Sequence, residues 1–193
     1  MKKLLLLCIA LYAFASPYNQ KMLKKINLGN QHQKSFSFVV MGDNRDGDNV
    51  LRKIISNINK DKDVSFVLNN GDLVPDGYKK EFFNYLAMIK KSDKPFLSII
   101  GNHEIPWYDG ESNYEHTFGK THFAFSYGNS YFIVLDSSNK KIKKGQKQWL
   151  TKELKISQKF TNRFVLTHVP LYDPRKGEYA KGHSFKSLKK AKN

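Results

Sequence analysis

Three short apolar runs each stop at a small polar motif, and the distance between those motifs constrains the fold more than any other feature. Residues 36–41 lead into Gly42-Asp43-Asn44-Arg45, residues 64–68 into Asn70-Gly71-Asp72, and residues 96–100 into Gly101-Asn102-His103-Glu104. Asp43, Asp72 and Asn102 are 29 and 30 residues apart, about one strand–helix–strand unit each. Between the runs, Val50, Leu51, Ile54, Ile55 and Ile58, then Tyr78, Phe82, Phe83, Leu86 and Ile89, recur at helical spacing. This alternation predicts an α/β fold, a largely parallel sheet with flanking helices. Runs that are apolar throughout suit strands covered on both faces.

Further on, residues 123–127 and 131–135 flank Gly128-Asn129-Ser130 and predict a β-hairpin. Residues 146–156 form a short helical pattern with Trp149, Leu150 and Leu154 on one side, and a last strand at 164–167 leads into His168. Neighbouring parallel strands would bring Asp43, Asp72, Asn102 and His168 to one edge, at the carboxyl ends where open α/β sheets bind ligands. Two adjacent carboxylates repel unless a cation lies between them. Carboxylate, amide oxygen and imidazole together suit zinc, manganese or iron. Two such ions side by side can polarise a phosphoryl group and supply a hydroxide to attack it.

The N-terminus has a different character. Met1-Lys2-Lys3, an apolar run over residues 4–15 and the small-x-small Ala13-Phe14-Ala15 make residues 1–15 a signal peptide by pattern, too short to span a bilayer. The expectation is a secreted or periplasmic protein with no transmembrane anchor after cleavage. Loss of Cys8 with the signal leaves no cysteine, so disulfides are not what stabilises it. Residues 16–35 are polar and basic and read as a flexible leader, with the domain proper at 36–193. The formal charge of +16 would attract polyanions or phosphorylated substrates, although the lysines are scattered along the chain.

"GDNR", "NNGDLV", "GNHE" and "LTHVP", in that order, resemble the calcineurin-like metallophosphoesterase family, which includes purple acid phosphatases. The resemblance covers residues 36–170 and implies a phosphoester hydrolase using two divalent or trivalent metal ions (Mn, Fe or Zn). It would act on phosphate mono- or diesters, such as a phosphorylated small molecule, by attack of a metal-bound hydroxide. It implies that Asp43 holds one ion, Asp72 bridges both, and Asn102 and His168 hold the second. His103 would stand beside the leaving group, and Glu104 would orient His103.

Two positions depart from the family pattern. Arg45 stands where related motifs carry a histidine ligand; a guanidinium cannot ligate a metal but can clamp a phosphate. The family's closing Gly-His-x-His has no counterpart, since Gly182-His183-Ser184-Phe185 follows no strand pattern. The resemblance then implies a C-terminally shortened member, an incomplete four-layer αββα sandwich with an apolar sheet face or strand edge left open. The rival readings are a non-catalytic polyanion-binding protein on a degenerate phosphoesterase fold, or a non-functional gene fragment. His116 and His122 are expected to be structural or exposed, and Trp107, Tyr108 and Tyr114 to shape a pocket or merely cover it.

Overall fold

In a computed structural model, residues 16–29, 35–106, 109–174 and 184–185 are described. The proposed signal peptide, Trp107, Tyr108, His183 and the lysine-rich end lie outside them. Two sheets, each of three strands, stack face to face. The first has the order β1 (Ser37–Met41), β2 (Val64–Asn69), β3 (Phe96–Ser98), all parallel. The second joins the hairpin β4 (Phe123–Tyr127) and β5 (Ser130–Leu135) to β6 (Asn162–Thr167), which runs parallel to β5. The expected parallel sheet with flanking helices and a hairpin is therefore present. The last strand, however, belongs to the second sheet.

Phenylalanine placement explains why the sheets stack. Phe38 and Phe66 are register partners in the first sheet, with stacked rings 5.4 Å apart. Phe125, Phe132 and Phe164 form a matching row across the second sheet, with stacked rings 4.8 and 4.9 Å apart. Phe38 and Phe66 both meet Phe132 edge to face, at 5.1 and 5.4 Å. Each such pair contributes about 0.5–1.5 kcal/mol beyond its buried area. Pleat alternation does the rest. Phe132 and Val134 point into this core, whereas Tyr131, Ile133 and Leu135 point outward onto Trp149 and Leu150. Those two belong to α5 (Lys144–Ser157), so β5 is covered on both faces.

Helices α2 (Asp48–Lys60) and α3 (Lys79–Ile89) contribute Leu51, Ile55 and Ile58, then Phe82, Tyr85, Met88 and Ile89, to the main core. The second set differs from the expected one: Phe83 is 71% exposed, because its neighbour Phe82 shares a face with Tyr85 and Ile89. Leu154 of α5 is likewise exposed. A helix not anticipated in the sequence, α4 (Gly110–Phe118), buries Tyr114 and Phe118; the Tyr114 hydroxyl donates to the Ser98 carbonyl at 2.6 Å.

The reading of residues 16–35 as a flexible leader needs correction. Tyr18–Leu28 form helix α1, with Tyr18, Met22 and Ile26 buried one turn apart. Lysines at 21, 24 and 25 hide this short apolar stripe in the sequence. Asn19 is buried too: its Nδ2 donates to the Ser98 carbonyl at 2.7 Å and its Oδ1 accepts from the Ser98 amide at 3.0 Å. Its amide thus takes the place of a strand beside β3 and closes that edge. At the opposite side, β1 and β6 are the outer strands of their sheets, and Val40 and Val165 are half exposed.

Candidate metal centre

The loops that follow β1 and β2 are bound to one another by backbone. The Asp43 amide donates to the Gly71 carbonyl at 2.9 Å, the Asn70 amide to Met41 at 2.6 Å, and the Arg45 amide to Asp72 at 3.1 Å. Asp43 and Asp72 both have left-handed backbones, with φ of 53° and 54°. Aspartate tolerates this conformation better than most residues, and isolated cases of it collect at functional sites. Glycines give the space. A Cβ at Gly71 would lie 2.7 Å from His168 Nδ1, and one at Gly101 would collide with the Asp72 amide.

His168 arrives from the second sheet, at the end of β6, and not from a neighbouring strand of the first. Asn70 docks it: the Asn70 Nδ2 donates to the Thr167 carbonyl at 2.8 Å, and His168 Nδ1 donates to the Asn70 carbonyl at 2.9 Å. A neutral imidazole that donates from Nδ1 carries its lone pair on Nε2. That atom lies 3.1 Å from Asp72 Oδ1 and 3.1 Å from Asn102 Oδ1. Three lone-pair donors therefore converge on one point, which is favourable only with a cation or a proton between them. Ligand atoms of Asp43, Asp72 and His168 all lie within 4.8 Å of one another. The donor set, two carboxylates, an amide oxygen and an imidazole with its far nitrogen fixed by a carbonyl, fits zinc, manganese or iron.

Charge balance follows the same geometry. Burial alone would push the Asp72 carboxyl up, but the hydrogen bond and charge of His168, with help from His103, hold it below its ordinary value. Burial would likewise lower His168, yet Asp72, the Asn70 carbonyl and Asp43 raise it. Each group favours the charged form of the other.

The remaining candidates fall as follows. His103 donates its amide to Asp72 Oδ1 at 3.1 Å, and its ring is fixed by Nδ1 on the Pro75 carbonyl at 2.7 Å. Its Nε2 is 3.9 Å from Asp72 Oδ2. Arg45 pairs with Asp72 Oδ2 through Nη1, so part of the expected phosphate fork is already engaged. Asn44 Oδ1 accepts from Asn69 Nδ2 at 2.5 Å. Exposed His116 and half-buried His122, whose ring meets Trp149, stay outside the cluster.

Glu104 does not orient the His103 ring. Fully buried, it accepts four backbone amides: Leu73 and Val74 at Oε1 (2.8 and 3.1 Å), Asp72 and Gly101 at Oε2 (3.0 and 2.6 Å). Burial pushes its carboxyl up to about 7 against the opposing pull of those amides. The sequence signal was present, an acid in a tight glycine-asparagine turn, but its partners are main-chain groups that no residue type announces.

A family model described as calcineurin-like phosphoesterase matches residues 36–192. Eleven chains of solved structures match. One is a purple acid phosphatase, PPD1, from yellow lupin (Lupinus luteus) seeds, with a TM-score of 0.65 and 20% identity over 81% of this chain and 34% of that one. The chain thus spans about a third of that protein, and the likeness is one of fold. No curated protein matches.

Replacing Glu104 with alanine would strand four buried amides. We expect a loss of about 3 kcal/mol or more in urea unfolding of the metal-free chain. A variant as stable as the parent would show that Glu104 does not hold these loops.

Proposed function

The chain belongs to the calcineurin-like phosphoesterase family, and from that premise we propose that it hydrolyses phosphate mono- or diesters at a metal centre built on Asp43, Asp72, Asn102 and His168. The convergence of Asp72 Oδ1, Asn102 Oδ1 and His168 Nε2 carries this reading. A bound manganese, iron or zinc ion would supply a Lewis acid that activates water and polarises a phosphoryl oxygen.

The chain's own residues would do the rest. Asp72, from the first sheet, and His168, from the second, would hold the ion. His103, its ring held by the Pro75 carbonyl, presents Nε2 beside the same carboxylate, placed to stabilise a leaving oxygen or hand it a proton. Arg45, 36% exposed at its side chain, adds a fixed positive charge to which a phosphoester anion is drawn.

We expect hydrolysis of p-nitrophenyl phosphate or its bis ester with added manganese or zinc, abolished by chelation, and a fall of about a hundredfold or more in Asp72→Asn. Stoichiometric metal binding without hydrolysis of either ester would contradict the reading.

We also infer export. The basic start, the apolar run at 4–15 and Ala13-Phe14-Ala15 support it, and the folded body begins at once afterwards with buried Tyr18. Among the described residues no helix is long and apolar enough to cross a membrane. Mass spectrometry of the product outside the producing cell should find a chain beginning at Ser16; a product retained inside with Met1 intact would refute it.

A further inference from the structure

The two oxygens of Asp72 face different partners. Oδ1 is turned to His168 Nε2 and the His103 amide, each at 3.1 Å. Oδ2 is held by the guanidinium of Arg45. Arg45 is fixed at both ends, because its backbone amide also donates to the Asp72 carbonyl at 3.1 Å, and the turn after it is closed by Gly47 donating to Asn44 at 2.9 Å. An ion bridging through Oδ2 would have to displace a permanent cation that has no lone pair to offer it. Among the described residues, Asp43, Asp72 and His168 form the one group of three acidic, histidine or cysteine ligands.

We propose that this is a single-ion centre in which the Arg45 guanidinium permanently supplies the second positive charge, at Oδ2 of Asp72. The inference rests on the metal-centre reading above and departs from the two ions implied by the family resemblance. Its logic is electrostatic. Two carboxylates with one divalent ion are neutral, and Arg45 gives the site the net positive charge that attracts a phosphoester anion. Unlike a second ion, that charge cannot be chelated away. Its cost is repulsion of the bound ion, which shares the Asp72 carboxylate with it.

Manganese stoichiometry, read on the purified full chain, separates the possibilities: saturate with manganese, remove the excess, and measure metal by plasma mass spectrometry and electron paramagnetic resonance. The parent chain should hold one ion with the spectrum of an isolated manganese. Arg45→Met should still hold one ion but bind it about tenfold more tightly, since a neighbouring positive charge is gone. Arg45→Lys, which keeps the charge, should bind as the parent does. Two ions with exchange-coupled spectra in the parent would overturn the inference while leaving the metal centre intact, as would unchanged or weaker binding in Arg45→Met. No ion at all would overturn the metal centre itself.

Discussion

The site depends on one buried carboxylate. Glu104 gathers the amides of Asp72, Leu73, Val74 and Gly101 onto its two oxygens. These amides come from the loops after β2 and β3, which would otherwise present buried N–H groups to one another without an acceptor. With that acceptor in place, Asp72 is held at its left-handed φ and the His103 amide is brought to the Asp72 carboxylate. These bonds are strongest where the carboxyl is ionised, above the value of about 7 to which burial raises it. Gly101 is part of the same arrangement, because any side chain there would occupy the space between Asp72 and Glu104.

The second requirement is that two sheets meet. His168 reaches Asp72 only because β6 ends beside the β2 loop, and β6 is placed by the phenylalanine rows that lock the sheets together. Core packing and ligand geometry are thus one problem in this chain. A shift of the second sheet would carry His168 away from Asp72 and Asn102 without disturbing the first sheet's loops.

How much of this the sequence disclosed depends on the range of the interaction. Asp43, Asp72 and Asn102 were legible because strand–helix–strand spacing puts successive strand ends at one sheet edge, and the order of motifs identified the family. The hairpin was legible from its turn residues. His168 was found, but not its sheet, since residues 162–167 do not state which strand they will pair with. Helix α1 was missed because its apolar stripe has only three buried positions among lysines. The role of Glu104 was missed because it acts on main chain, and the pairing of Arg45 with Asp72 because residues 27 apart meet only once the loops are folded.

What emerges is a site in which three of the side chains are fixed from behind: His168 by Asn70, His103 by Pro75, Asp72 by its own loop and Glu104 beneath it. Such fixing sets the orientation and tautomer of these side chains for the proposed ion. Anomalous diffraction from crystals of the chain grown with manganese tests this most directly. A peak within bonding distance of Asp72 Oδ1, Asn102 Oδ1 and His168 Nε2 is the predicted result. A fully ordered site with no peak there, and those three atoms apart from one another, would contradict the account.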